Sequence, residues 1–382
     1  MKELLIRHWE QYPKMEAQDM VKLIFQSEFG GGHLISDPEK SLERLKREYE
    51  NREWEGKESM GRGEPAGSEE CGRGDRGTAG SKRDWRYVEP AGGGMCRIKL
   101  TALDLGLEAE TLNRMFVRSA GEVHGTVQGM KAGLSELLEL CGREIGLDRA
   151  MTAEYIRAYE DKGYPAVSHS EAYRANYHPA YRIVNAMYGQ ALPLFARIDR
   201  LRREAGDRTV NIAVDGMSGS GKSTLAKLLE GVYGCNTFHM DDFFLPPFKR
   251  TTERFREPGG NVDYERFKEQ VIDHLGDESG VEYQVYDCSL QKLSRTVKTS
   301  GRGMNVVEGS YSQHPYFGDC YDLRIFLEID GKEQVERIRR RNGEFMLRRF
   351  VGEWIPMENT YFSHCKIREN SQIVLTNQTQ ML

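Results

Sequence analysis

Nine consecutive residues, Gly216-Met217-Ser218-Gly219-Ser220-Gly221-Lys222-Ser223-Thr224, bring together three glycines, one lysine and four hydroxyls. The spacing fits G-x-x-x-x-G-K-[ST], and the residue types suit phosphate chemistry. Gly216, Gly219 and Gly221 let the backbone turn so that successive N–H groups point at phosphate oxygens. A helix starting at Lys222 adds the positive end of its dipole. The Lys222 ammonium can reach β- and γ-phosphates, and the Ser223 hydroxyl can ligate Mg²⁺. Gly216, Ser218, Gly219, Ser220, Gly221, Lys222, Ser223 and Thr224 therefore form the expected nucleotide cradle. A chance match in a chain this long has odds on the order of one in a hundred. The context also fits, because an apolar run, Val210 to Val214, enters the loop and a helical-looking run, Leu225 to Leu229, leaves it.

Such a loop does not name a reaction. Two further apolar runs end in acids: "NTFHM" is followed by Asp241 and Asp242, and "MNVV" by Glu308. In an open parallel sheet, ligands sit beyond the carboxyl ends of the strands. A carboxylate there can hold Mg²⁺ or accept the proton of an attacking hydroxyl. Asp241 or Asp242 suits the second task and Glu308 the first; the bland alternatives are a solvated turn and a strand-ending charge. The helical stretch "KEQVERIRRRNG" carries Arg337, Arg339, Arg340 and Arg341. Guanidiniums near a phosphate crevice neutralise charge on a transferring phosphoryl group, whereas a solvated helix end would gain only a few tenths of a kcal/mol from them.

These residues need elements to position them. From about Asp207 onward, "TVNIAV", "NTFHM", "MNVVE", "LRIFLEI" and "SQIVLT" are short apolar runs, most of them separated by helical stretches. The pattern predicts an α/β domain over residues 196–382, with a parallel sheet covered by helices on both faces. Residues 1–195 read as a mostly helical domain. "EAQDMVKLIFQSEF" places Val21, Ile24 and Phe25 on one helical face, and Asp37-Pro38 is a helix-start signal. "CRIKL" reads as a short strand, and "AETLNRMFVRSA" and "VHGTVQGMKAGLSELLELCG" as helices. Residues 52–94, rich in Gly, Ser, Glu, Arg and Lys, predict a disordered insertion.

The chain has 382 residues, with 54 basic and 59 acidic side chains for a formal charge of −5. That balance favours neither nucleic acid nor a membrane surface as partner. Seven scattered cysteines without a C-x-x-C pair fit reduced thiols. The first residues lack the apolar core of a signal peptide, and no run approaches the ~18 apolar residues of a membrane span. A cytoplasmic protein acting on a small molecule is expected, with assembly into homo-oligomers left open.

"GMSGSGKST", then "DDFF", then "VVEGSY", then an arginine-rich helix resembles the uridine kinase and phosphoribulokinase group of P-loop kinases, over residues 208 to about 378. The resemblance implies ATP and Mg²⁺ as cofactors, Asp241 as catalytic base and Glu308 with Ser223 at the metal. It implies Lys222 with Arg340 and Arg341 on the transferring phosphoryl group. Asp263 would bind ribose hydroxyls, and Tyr286 and Asp287 would touch the nucleoside. The family's N-[FY]-D-H-P reads here Asn261-Val262-Asp263-Tyr264-Glu265, and a histidine expected after the tyrosine stretch is replaced by Gln291 or Lys292. Those departures leave phosphoryl transfer intact and the acceptor open. Uridine or another nucleoside is the first expectation, ahead of pantothenate, glycerate or a sugar phosphate. A nucleotide-binding regulator is the alternative from another class. No Asn-Lys-x-Asp guanine reader is present, which points to ATP rather than GTP.

Three stretches fall outside this chemistry. "SHSEAYRANYHPAYRIV" repeats Tyr173, Tyr177 and Tyr181, and Arg174, His178 and Arg182, every four residues, with Pro179 forcing a kink or a second helix. It reads as an interdomain packing face, with an anion or substrate pocket as the functional alternative. "GGGHLI" reads as a mobile turn, with a ligand-lining role as its alternative. "FVGEWIPMENTYF" reads as packing through Phe350, Trp354, Ile355 and Tyr361.

Overall fold

The computed structural model describes residues 1–35, 37–51, 85–123 and 125–376. Its chain divides into two compact units, Met1–Ala196 and Arg197–Leu382. Most of the expected disordered insertion, residues 52–84, lies outside the described residues. Residues 85–94 do not belong to such an insertion, because they carry a buried strand.

The first unit holds α1 (Lys2–Gln11), α2 (Ala17–Phe29), α3 (Pro38–Glu50), β1 (Val88–Gly92), β2 (Met95–Lys99), α4 (Ala109–Glu122), α5 (Val127–Leu140), α6 (Arg149–Glu160), α7 (Glu171–Tyr177), β3 (Tyr181–Asn185) and α8 (Ala186–Gln190). Helix α9 (Leu192–Ala205) spans the division. The Asp37 carboxylate accepts the Glu39 and Lys40 N–H groups and caps α3, with Pro38 at the first helical position. Helix α2 opens with a capping box in which Glu16 N–H donates to Asp19. From Asp19 to Ser27 every residue of α2 is buried. The single apolar face expected from the sequence is thus widened all round the helix, and Asp19, Lys22 and Gln26 go inside with Met20, Val21, Leu23 and Ile24. What the sequence reading lacked is the antiparallel sheet β1-β2-β3 that packs within this unit. Pro179 ends the α7 region, so Tyr173 and Tyr177 sit on a helix and Tyr181 on a strand. Within their own unit, Tyr173 and Tyr177 of the tyrosine repeat pack edge-on against Tyr12, with centroids 5.4 and 4.9 Å apart.

The second unit contains β4 (Val210–Gly216), α10 (Lys222–Tyr233), β5 (Asn236–His239), α11 (Thr252–Arg256), α12 (Tyr264–Gln270), β6 (Glu282–Asp287), β7 (Lys292–Lys298), β8 (Met304–Glu308), β9 (Leu323–Glu328), α13 (Gly331–Arg349), α14 (Ile355–His364), α15 (Ile367–Asn370) and β10 (Ile373–Thr376). Strands β10-β9-β4-β8-β5 form one parallel sheet with flanking helices, and its members are the five apolar runs picked out in the sequence. The core strands β4 and β8 are buried almost throughout, as parallel strands covered by helices must be. The chain leaves β4 toward β5 on one side and later returns to β9 on the other. The β4–α10 loop therefore lies where strand order reverses, the usual place for a ligand crevice. A separate antiparallel hairpin, β6–β7, was not foreseen. The six described cysteines are free thiols, and no described helix is long and apolar enough to cross a membrane.

Candidate functional site

Register puts the site together. Val214 pairs with Glu308 across β4–β8, and His239 pairs with Glu308 across β5–β8. The ends of three strands are thereby level, and the loops leaving them lie side by side. Gly216 leaves β4 with φ of +143°, and a Cβ there would lie 2.1 Å from the Leu327 carbonyl oxygen. Only glycine lets the loop pass so close to β9. Gly221, in the left-handed region at φ +102°, turns the loop into α10.

Within the loop, Lys222 Nζ donates to the Gly216 and Met217 carbonyls at 2.7 and 3.1 Å. The Ser223 hydroxyl lies 3.2 Å from both carboxylate oxygens of buried Glu308. His239 Nδ1 approaches the same carboxylate at 2.6 Å, and this hydrogen bond raises the imidazole pKa above its ordinary value. Among the described residues no cluster of three or more His, Cys, Asp or Glu could hold a metal. A hydroxyl beside one carboxylate is a hard-oxygen set of the kind Mg²⁺ uses when phosphates and water complete its shell, so Ser223 and Glu308 fit that ion.

Asp241 and Asp242 open the turn after β5 and have different surroundings. Asp242 accepts the Tyr283 hydroxyl at 3.0 Å. The Asp241 carboxylate has no hydrogen-bond partner among the described residues. It reaches solvent in the crevice, yet its pKa is raised, first by loss of surrounding water and then by the Glu308 charge, with Lys222 and His239 opposing. A carboxylate so placed is free to accept a proton.

The arginines divide. Arg337 donates to the Gly219 carbonyl at 3.4 Å and to Glu333 at 2.8 Å, and Gln334 donates to the Ser218 carbonyl at 2.9 Å. This part of α13 lies against the loop. Arg340 and Arg341 are exposed, and Arg341 bonds its neighbour Asn342. The fold brings Arg337, rather than Arg340 or Arg341, to the loop: those two share its side of α13 but lie about one turn farther along the helix and are exposed.

Of the residues expected to bind the acceptor, Asp263 is buried, caps α12 through Arg266 N–H and pairs with Lys249 at 2.8 Å. Asp287 accepts the Ser289 and Leu290 N–H groups and closes the β6–β7 turn. Both carboxylates are engaged locally. Tyr286 is buried, and its hydroxyl lacks a partner among the described residues.

Three site residues were missed in the sequence. Fully buried Asp215 accepts the N–H groups of Gly216, Tyr311 and Gln313 and the Tyr361 hydroxyl. Burial still pushes its pKa up to about 6. Glu358 on α14 accepts both the N–H of Ser218 at 3.0 Å and its hydroxyl at 2.6 Å, and the Ser310 hydroxyl at 2.7 Å. The same helix therefore ties Asp215 through Tyr361 and the loop through Glu358. His239 is the third. The signals were an acid inside an apolar strand for Asp215 and an acid three residues before Tyr361 on a packing face for Glu358. For His239 it was a strand-terminal imidazole two residues before Asp241.

No protein-family model matches the chain, and no curated protein matches it. Similar solved structures include a "possible uridine kinase" from Bacillus stearothermophilus, at 23% identity and TM-score 0.36, covering 48% of this chain and 98% of that one. TT1252 from Thermus thermophilus is 18% identical, with TM-score 0.26 and coverages of 45% and 91%. The deoxyadenosine kinase from M. mycoides, solved with the products dCMP and dCDP, is 16% identical, with TM-score 0.21 and coverages of 45% and 92%.

Proposed function

We propose that residues 197–382 transfer the γ-phosphoryl group of ATP to a hydroxyl of a small molecule, a nucleoside such as uridine being the leading acceptor. The observation that carries this reading is a division of labour among carboxylates at one crevice. Glu308 is committed to Ser223 and His239, Asp242 to Tyr283, and Asp241 to nothing. A nucleotide switch needs the first arrangement; a kinase also needs the uncommitted base.

In this reading the backbone N–H groups of Gly219 and of Gly221 to Thr224 hold the phosphates, those of Ser218 and Ser220 being bonded to Glu358 and Met217, and Lys222 swings from its carbonyls onto them. Ser223 and Glu308 would hold Mg²⁺, which would supply positive charge against the phosphates. His239 fixes the Glu308 carboxylate. Asp241 orients the acceptor hydroxyl and takes its proton. Arg337 is positioned to stabilise the transferring group. Most of the acceleration then comes from positioning and fixed charge. Tyr286 offers its buried hydroxyl to the acceptor. The deciding experiment is ADP release with Mg·ATP against nucleosides, pantothenate, glycerate and sugar phosphates, with Asp241→Asn as control. Stimulation by uridine or cytidine that is lost in the variant supports the nucleoside reading, and stimulation by another compound replaces the acceptor. ATP binding with no stimulated turnover favours the regulator.

A further inference from the structure

The two stretches of the N-terminal unit that the kinase reading leaves aside converge on one cleft of about 700 Å³. His33 and Leu34 come from "GGGHLI"; Arg174, His178, Tyr181 and Arg182 come from "SHSEAYRANYHPAYRIV". The glycine run is a packed turn. Gly31 lies so close to Ile183 and Phe116 that a Cβ would sit 2.4 and 2.5 Å from their side chains, and Gly32–Leu34 forms a 3₁₀ turn that carries His33 into the lining.

The charge in this cleft is unbalanced. Lys22, Arg44, Arg174 and Arg182 face it, and Glu48 is its single lining acid among the described residues. Glu48 is already held by Arg44 at 2.8 Å and Arg182 at 2.7 Å. Arg174 has no ion-pair partner among the described residues. Lys22 is 9% exposed, and its one hydrogen bond runs to the Val167 carbonyl at 2.8 Å. An ammonium has three donors, so two remain uncommitted in a largely dry place. Burial, then the Arg97 guanidinium, pushes the Lys22 pKa down to about 8, with Arg174 adding to the effect and Asp19 opposing it.

The back wall is hydrogen-bonded within itself. Asp19 lies 2.8 Å from His169 Nδ1, and His169 Nε2 lies 2.7 Å from the Tyr181 hydroxyl, which also accepts from Gln26 at 3.2 Å. Burial keeps His169 neutral, with its pKa pushed down to about 4. The Asp19 carboxylate therefore accepts Nδ1–H, and Nε2 accepts the Tyr181 proton. These groups satisfy one another and leave Lys22 and Arg174 as the groups free to meet a ligand.

We propose that this cleft binds a phosphate-bearing small molecule, its phosphate held between the Lys22 ammonium and the Arg174 guanidinium. A phosphate ester supplies three acceptor oxygens and nearly two charges, which match two cationic groups with several uncommitted N–H donors. The cleft is far larger than a bare phosphate and of the size that encloses a metabolite. Phe116 and Tyr181 offer aromatic surface to the remainder of that molecule.

The test is calorimetric titration of the full chain carrying Lys222→Ala, which silences the glycine loop. The probes are inorganic phosphate, pyrophosphate, glucose 6-phosphate and AMP, beside glucose, gluconate and adenosine. At least one phosphate-bearing probe binds, and adding Lys22→Met or Arg174→Gln weakens it roughly ten- to a hundredfold, as loss of a charge-assisted hydrogen bond should. Arg174 is exposed, so Arg174→Gln decides the matter even if Lys22→Met fails to fold. Three results overturn the proposal. They are no binding by any phosphate-bearing probe, binding indifferent to both substitutions, and equal binding of gluconate. None of them bears on the kinase reading, because the loop is already disabled.

Discussion

Asp241 and Asp215 are both acids at the carboxyl end of the sheet, and their environments assign them opposite tasks. Asp241 touches solvent, carries no hydrogen bond among the described residues and has a raised pKa. Asp241→Asn should lower turnover by roughly 10²–10⁴-fold, the usual worth of a general base, while ATP binding persists in equilibrium titration. On the kinase reading, the acidic limb of the wild-type rate profile should lie above the ordinary carboxylate pH, since the base must be ionised. An active Asp241→Asn enzyme would pass the role to Asp242. Asp215 is fully buried and structural. Its folded pKa of about 6 stands above the ordinary 3.8, so the native state binds the extra proton between those values. Its contribution to stability is complete below about pH 3.8 and is lost as pH rises toward and through 6, by on the order of 3 kcal/mol. Denaturant titrations at pH 4.5 and 7 check this, and in Asp215→Asn that part of the slope should vanish. The same substitution turns an amide N–H toward a backbone N–H and should cost about 1–3 kcal/mol at pH 7.

At the scale of elements, the glycine loop works because β4, β9 and α13 crowd it from definite sides. A Cβ at Gly216 would collide with the Leu327 carbonyl on β9, at a φ that side chains rarely adopt. Gly216→Ala should destabilise the protein by about 1–3 kcal/mol through strain alone and abolish ATP binding, measured by melting with and without Mg·ATP. At Gly219 the nearest atom to a Cβ would be 3.6 Å away, so the backbone angle is the only penalty there. Helix α13 presents Arg337 and Gln334 to the loop and directs Arg340 and Arg341 to solvent. Arg337→Ala should therefore reduce kcat by roughly 10²-fold or more. Arg340→Ala and Arg341→Ala should change it by about fivefold at most, the worth of an exposed charge pair. The reverse ranking in steady-state kinetics would restore the expectation drawn from sequence.

At the scale of the molecule, the two proposals place one ligand chemistry on each compact unit. Each unit buries apolar side chains, so calorimetric melting should resolve two transitions. Mg·ATP at 100 times its dissociation constant should stabilise residues 197–382 by about 2.7 kcal/mol and leave the other transition in place. A phosphate-bearing ligand of the N-terminal cleft should do the converse in the Lys222→Ala protein. A single transition that responds equally to both would contradict the division.

The sequence by itself determined the parts whose signals are local. The glycine loop, the five strands of the parallel sheet and the acids that follow two of them could be placed because turn chemistry and apolar periodicity act over a few neighbouring residues. The cap at Asp37 was readable for the same reason. Tertiary structure decided which polar groups remain uncommitted. Asp263 and Asp287 looked like substrate ligands until α12 and the β6–β7 turn absorbed them, and Arg340 and Arg341 looked like the phosphoryl ligands until the fold set the earlier turn of α13, with Arg337, against the loop. Lys22, on a helix that reads as amphipathic, is buried because the elements around α2 cover its polar side as well. Hydrogen bonding and burial are settled by partners far away in the chain, such as Glu358 on Ser218 and Val167 on Lys22. No window of sequence contains both members of those pairs.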